Sequence, residues 1–156
     1  MSEPSSHHAT FTIERRYPAG IERVFRAWSD PARKARWFSC HDEWQASGYT
    51  LDFRVGGREH LTTTPPGGQP HRYDAIYQDI VPQARIIYAY DMHLGDKRIS
   101  VSLATVEFKP EGKHTVLVFT EQAVFLDGYD DEGARERRAG TEIGLQNLDE
   151  SLKQGD

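Results

Sequence analysis

The sequence predicts an α+β fold in which a curved antiparallel sheet covers one long C-terminal helix. Three observations predict it: a strand and short helical stretch at residues 10–38, a run of alternating, aromatic-rich strands at 48–125, and a closing helical segment at 133–154. A strongly bent sheet that covers a single helix tends to leave space between the two, and aromatic side chains would line that space. The pattern therefore indicates a small-molecule pocket more clearly than it indicates a reaction.

Composition narrows the class of protein. A chain of 156 residues fits one domain, and we expect a disordered tail at residues 1–9 followed by a single domain over 10–154. The formal net charge of -5 argues against a nucleic-acid partner or an anionic membrane, because either favours a basic face. The single cysteine, Cys40, excludes an intrachain disulfide and favours a reducing, cytoplasmic setting. No apolar run is long enough to cross a bilayer, and a homodimer through a strand edge is left open.

The first elements follow from their periodicity. Alternation over residues 10–17 predicts a half-buried strand, and apolar residues at helical spacing predict a helix over 19–29. Asp30-Pro31 is a cap followed by proline at a first helical position, which predicts a second helix ending at Phe38. Three charged residues of that second helix are expected to face water: Arg33, Lys34 and Arg36.

The middle of the chain reads as a series of strands. Alternation from Tyr49 to Val55 is followed by Gly56-Gly57, which suits a two-residue hairpin turn. Further strands are predicted over 58–64, 72–81, 85–93, 99–108 and 115–125. The apolar phase slips by one residue near Ala104, which predicts a β-bulge that bends the sheet.

The closing segment carries one apolar stripe, formed by Thr141, Leu145, Leu148 and Leu152. Gly140 and Gly144 interrupt this helix, each costing about 1 kcal/mol relative to alanine. Two glycines four residues apart let a helix lie close to another backbone or leave room beside it; a weakened surface helix is the plainer interpretation.

Three motifs resemble the START-like, or SRPBCC, superfamily, and the branch related to the activator of heat-shock protein 90 ATPase most closely. The quoted stretches are Val24-Phe25-Arg26-Ala27-Trp28-Ser29-Asp30-Pro31 with Trp37-Phe38, then Arg54-Val55-Gly56-Gly57, and Tyr77-Gln78-Asp79-Ile80-Val81-Pro82 with Arg85-Ile86-Ile87-Tyr88. The ending Gly144-Leu145 is similar to a closing helix that usually carries Gly-Trp, so leucine replaces tryptophan here. The resemblance implies a helix-grip fold of about six or seven strands, whose space between sheet and helix commonly holds an apolar ligand.

Twelve residues are candidates for lining that space. The aromatic ones are Trp28, Trp37, Phe53, Tyr73, Tyr77, Tyr88, Tyr90 and Phe119; the polar ones are His93 and Glu121; and the helix supplies Leu145 and Leu148. Strand phase alone does not say which face of the sheet each one occupies, and core packing is the alternative for every aromatic residue. A carboxylate facing an apolar cavity would have a raised pKa and could act as a general acid or base, whereas a solvated or paired carboxylate would not.

The sequence gives little support for a metal site or for a catalytic cysteine. Cys40-His41-Asp42-Glu43 contains metal-binding residue types, but adjacent loop residues rarely converge on one ion and no second cluster has zinc-ligand spacing. Cys40 as a nucleophile would need a nearby base, and no signature supports one. We expect no metal and no cofactor.

Three classes of function remain open. The first is binding of a small hydrophobic or aromatic molecule without chemistry. The second is a cyclase, aromatase or hydratase that uses the same cavity with one or two polar groups. The third is a chaperone-associated interaction module, which predicts a large exposed apolar patch instead of an internal cavity.

Overall fold

A seven-stranded antiparallel sheet and three helices make up the described part of the chain, as the order of elements predicted. The computed structural model describes residues 3–38 and 45–155. In chain order the elements are β1 (Ser6–Tyr17), α1 (Ile21–Ser29), α2 (Pro31–Phe38), β2 (Gln45–Leu51), β3 (Arg58–Thr64), β4 (His71–Val81), β5 (Arg85–Leu94), β6 (Lys97–Glu111), β7 (His114–Leu126) and α3 (Asp131–Lys153). The α+β helix-grip prediction is confirmed. No helix of the described residues combines the length and apolar character needed to span a membrane.

The sheet has the order β1-β7-β6-β5-β4-β3-β2, so the first strand pairs with the last. β1 begins at Ser6, which pairs with Leu126, whereas the polar composition placed residues up to 9 in a disordered tail. Backbone pairing along the edge of β7 therefore extends this strand beyond its apolar part.

The predicted bulge near Ala104 is wrong, because pairing on both sides of β6 is continuous there. The register instead shifts where Met92 pairs with Ser100 but His93 pairs with Arg98. This shift leaves Ile99 and Ser100 both buried, and from there the buried face of β6 continues through Ser102, Ala104, Val106 and Phe108. The apolar phase of the sequence changes because Val101 and Leu103 lie on the other face, where they are 40% and 39% exposed. A second shift between Tyr77 and Asp79 adds to the bending of the sheet.

The connection between β2 and β3 also differs from its prediction. β2 ends at Leu51, and the six residues 52–57 replace the expected two-residue turn. Gly56 has φ +83°, but Gly57 is required for space, because a Cβ there would lie 2.0 Å from the carbonyl oxygen of Asp52. Phe53 consequently lies in a loop and not in a strand.

Helices α1 and α2 close one end of the sheet. Asp30 caps α2 as predicted, its carboxylate accepting from the backbone N–H of Arg33 at 3.0 Å. The indole Nε1 of Trp37 donates to the carbonyl of Ala27 at 2.9 Å and ties the two helices together. The expectation that Lys34 faces water is wrong, because its side chain is fully buried.

Helix α3 packs through its second half. Its buried residues are Leu145, Leu148, Ser151 and Leu152, whereas residues 131–144 lie half-buried or exposed. Asp130 caps the helix by accepting from the N–H of Glu132 at 3.1 Å. The first half of α3 therefore stands off the sheet.

Candidate functional site

A cavity of about 630 Å³ lies between the inner face of the sheet and helices α1, α2 and α3. Its sheet side includes Leu61 and Met92, and its helix side includes Phe38 from α2 and the first half of α3. Ile143, which lines it from α3, is 53% exposed, so the cavity opens to solvent along that helix. Its volume falls within the roughly 300–1,000 Å³ of small-molecule sites.

The structure brings eight of the twelve predicted residues to this cavity. They are Trp28, Trp37, Tyr73, Tyr88, Tyr90, Phe119, Glu121 and Leu145. The strand residues among them share one phase of β4, β5 and β7, so the pleat turns all of them toward the helices.

Four predicted residues do not line the cavity. Phe53 and Tyr77 pack on each other instead, with 5.1 Å between their ring centroids. Leu148 is fully buried in the core one turn after Leu145. His93 lies on the outer face of the sheet, where it forms a group with Asp74 and Asp91 whose ligand-type atoms lie within 4.8 Å of one another. The Cys40-His41-Asp42-Glu43 cluster lies outside the described residues.

One wall of the cavity carries a buried carboxylate, Glu121, which accepts hydrogen bonds from three side chains. Tyr90 donates to Oε1 and Oε2 at 2.9 and 2.8 Å, Ser102 donates to Oε2 at 2.8 Å, and Arg137 donates through Nη1 at 3.1 Å. Arg137 reaches this carboxylate from α3 and also donates through Nη2 to the Ser100 hydroxyl at 2.7 Å. This polar corner, formed by these five residues, joins the unpacked half of α3 to the sheet.

A second buried ion pair lies next to four of the aromatic side chains that line the cavity. These four side chains form the aromatic wall: Trp28, Trp37, Phe38 and Tyr88. Lys34 Nζ donates to the Glu59 carboxylate at 2.7 Å, and both side chains are fully buried. Hydroxyl groups supply the remaining donors to Glu59: those of Tyr49, Tyr73 and Tyr77, at 2.7, 3.0 and 3.1 Å. The two charges therefore compensate each other, and every lone pair of the carboxylate has a partner.

Aromatic rings surround the Lys34 ammonium. Its Nζ lies 4.3 Å from the ring centroid of Phe38 and 5.3 Å from that of Trp28, within cation–π range. Burial lowers the pKa of Lys34, while the Glu59 carboxylate acts in the opposite direction. Four of the rings near Nζ also line the cavity: Trp28, Trp37, Phe38 and Tyr88. The ion pair thus fixes the aromatic wall from behind.

The cavity tyrosines are hydrogen-bond donors over the whole physiological pH range. Burial raises the pKa values of Tyr73, Tyr88 and Tyr90 above the ordinary value of 10.0, and nearby carboxylates raise them further. Their hydroxyl groups therefore stay protonated, and Tyr73 donates to Glu59 while Tyr90 donates to Glu121.

Sequence reasoning identified Glu121 but missed the other charged members of the two clusters: Arg137, Lys34 and Glu59. Arg137 lies four residues before Thr141, so it continues the apolar stripe of α3, which is the signal that could have found it. Lys34 likewise precedes Trp37 and Phe38 by three and four residues, which places all three on one side of α2. Glu59 offered no such signal, because a carboxylate in a strand usually faces water.

Comparison with known proteins agrees with this architecture. The family model of Activator of Hsp90 ATPase homolog 1-like protein matches residues 18–154. The chain belongs to this family. The predicted resemblance is therefore confirmed, and it covers both the cavity and the long C-terminal helix.

Several solved structures are similar to this chain. An uncharacterized protein from Rhizobium leguminosarum is 57% identical, with a TM-score of 0.92 over 98% of this chain and 99% of that one. The Mll3558 protein from Rhizobium loti is 44% identical, with a TM-score of 0.86 over 94% and 99%. An AHSA1-like protein from Aeromonas hydrophila is 22% identical, with a TM-score of 0.72 over 94% and 93%, and shares the fold. None of the curated proteins matches the chain.

Proposed function

We propose that this protein binds a small hydrophobic or aromatic molecule in the cavity between the sheet and α3. The observation that carries the proposal is a cavity of about 630 Å³ whose walls are mainly aromatic and aliphatic side chains. Binding sites for small molecules have this size and this mixture of apolar walls with a few polar groups.

The energetics of the cavity support an occupant. At about 24 cal/mol per Å³, a dry apolar cavity of this volume would cost on the order of 15 kcal/mol. That cost would equal the whole net stability of a domain, about 5–15 kcal/mol. Water or a ligand must therefore fill the space, and a ligand that displaces poorly held water from aromatic walls gains affinity.

An enzyme that uses the same cavity is the second candidate, because Glu121 and four tyrosines line it. The hydrogen bonds of Glu121 argue against this role. It accepts from Tyr90, Ser102 and Arg137 and is charge-paired with Arg137, so the protein's own groups already engage and orient this carboxylate, away from the role of a base held ready for a substrate proton. Binding without chemistry fits this arrangement better.

A chaperone-associated role would favour a broad exposed apolar surface. Among the described residues, the exposed large apolar side chains are Val55, Val81, Val101, Leu103 and Ile143. Of these, Val101 and Leu103 are neighbours on one face of β6, and the others lie on separate elements. Stimulation of a chaperone ATPase by the purified protein would favour this third candidate.

Native mass spectrometry of the purified protein and thermal-shift measurements with a panel of hydrophobic and aromatic compounds test the proposal. We expect a co-purified small molecule, or a compound that raises the melting temperature. Gly144→Leu should abolish either effect, since Gly144 lines the cavity and a Cβ there would meet no atom within 4 Å. Gln146→Leu is the matched control, because Gln146 is exposed on α3 outside the cavity. Absence of any bound mass and any thermal shift would contradict the proposal.

A further inference from the structure

The charges around the cavity specify a ligand class. We propose that the cavity selects uncharged aromatic molecules that carry a hydrogen-bond acceptor, such as a carbonyl or hydroxyl oxygen, placed beside Arg137. The inference rests on the proposed function and names the chemistry of its ligand.

Each buried charge near the cavity has its countercharge inside the protein. Arg137, 11% exposed, is paired with Glu121, 1% exposed. Lys34 is paired with Glu59 at 2.7 Å, and neither is exposed. A charged ligand would leave water without finding an unpaired countercharge, so its desolvation would not be compensated.

Charged or titratable groups at the rim do not change this balance. Glu136 lines the cavity from α3 but is exposed, so water and salt screen its charge. His71 lines it from the start of β4 and is half-buried.

Arg137 supplies the polar recognition. Its Nη1 donates hydrogen bonds to Tyr90, Ser102 and Glu121, and its Nη2 donates to Ser100. A guanidinium has five N–H donors, and within residues 3–38 and 45–155 no side chain or carbonyl accepts from its Nε. Because Arg137 lines the cavity, a neutral oxygen of the ligand can accept a hydrogen bond without adding a charge.

The opposite helix surface favours a flat ligand. Gly140 and Gly144 line the cavity one helical turn apart, and a Cβ at either position would meet no atom within 4 Å. The bare backbone leaves a smooth strip of α3 in the same cavity that the aromatic side chains of the sheet line. A planar aromatic body can lie between these surfaces and contact both.

Isothermal titration calorimetry at about pH 8 with β-naphthol, β-naphthoate and β-naphthylmethylammonium tests the charge selection, since the three probes share one ring and differ in charge. We expect the naphthol to bind at least about tenfold more tightly than either ion. A naphthoate or an ammonium that binds as tightly as the naphthol would overturn this inference and leave the proposed function standing. Absence of binding by all three probes, with no binding in the wider panel, would overturn both.

The Glu121→Gln variant provides a second test of the charge selection. Gln keeps the shape of the side chain but leaves Arg137 without a countercharge, so naphthoate should gain at least about tenfold relative to naphthol. Glu121→Gln combined with Arg137→Gln should remove that gain. Glu142→Gln is the matched control, because Glu142 pairs with Arg138 at 3.0 Å, neither residue lines the cavity, and the net charge changes equally. An unchanged preference in Glu121→Gln, with a native circular dichroism spectrum, would overturn the inference.

Discussion

Lys34 illustrates at the scale of one residue how this protein places a full charge inside an aromatic interior. Its partner Glu59 lies on β3, 25 positions along the chain, and three tyrosine hydroxyl groups complete the hydrogen bonding. Periodicity could place Lys34 on the side of α2 that carries Trp37. It could not identify Glu59, because the pairing depends on how α2 lies across the sheet. Long-range partners of this kind are the part of the site that a single sequence does not contain.

Removing one member of this pair should be strongly destabilising. Lys34→Met or Glu59→Gln alone leaves the other charge buried and unpaired, and we expect a loss of about 3–5 kcal/mol in the free energy of unfolding. The double variant should lose much less than the sum of the two, because no buried charge remains. Urea denaturation followed by circular dichroism measures all three.

Arg16 provides the control for that comparison. It pairs with Glu111 at 2.6 Å, but both side chains are more than half exposed. Arg16→Gln should therefore change the free energy of unfolding by less than about 1 kcal/mol. If Lys34→Met were as mild as Arg16→Gln, the ion pair would not hold the aromatic wall in the way described.

At the scale of elements, the sequence predicted α3 and most strands, whereas connections and bulges were less predictable. The helix was visible because Leu145, Leu148 and Leu152 recur at helical spacing and are buried as that spacing predicts. The β2–β3 loop was missed because alternation continues through Phe53 and Val55 after β2 has ended. Local pattern cannot distinguish a strand from an extended loop that packs one side chain, here Phe53 against Phe25 at 5.9 Å.

The glycines of α3 predict an unusual gain in stability. A Cβ at Gly140 or Gly144 would meet no atom within 4 Å, so alanine adds helix propensity without a clash. We expect Gly140→Ala and Gly144→Ala each to raise the free energy of unfolding by about 1 kcal/mol, measured by urea denaturation of the ligand-free protein. Gly112→Ala should do the opposite, because Gly112 also has open space but a φ of +60° that alanine adopts with strain. A loss of stability in both helix variants would mean that α3 needs these glycines for close packing.

At the scale of the whole molecule, the fold follows from a simple chain order. Consecutive strands from β2 to β7 pair with their neighbours, and β1 joins the far side of β7, so a meander with one long-range pairing produces the sheet. Alternation grouped the strand residues by face without saying which face turns inward, and the five predicted strand residues that reach the cavity share one face: Tyr73, Tyr88, Tyr90, Phe119 and Glu121. The size of the cavity was not predictable, because it depends on how far the first half of α3 stands from the sheet.

The buried tyrosines make the whole molecule sensitive to alkaline pH. Five are less than a tenth exposed, and burial raises the pKa of each above 10.0: Tyr17, Tyr73, Tyr77, Tyr88 and Tyr90. A pKa that is higher in the folded state means that the unfolded chain releases these protons first as pH rises. Their contribution to stability is therefore fully present below pH 10 and is lost above it, by about 1.4 kcal/mol per pH unit for each tyrosine.

Lys34 acts in the opposite sense over a narrower range. Its pKa is lowered by burial, so below the ordinary value of 10.5 the unfolded chain holds this proton more tightly, and stability rises with pH up to that point. The stability that one lysine adds with rising pH is smaller than the stability that five tyrosines lose. We therefore expect cooperative unfolding within about two pH units above pH 10. Phenolate absorbance and circular dichroism, recorded together between about pH 8 and about pH 12, should change at the same pH. Phenolate formation by most tyrosines near pH 10 with a native circular dichroism spectrum would show that their hydroxyl groups are not held in the buried hydrogen bonds described here.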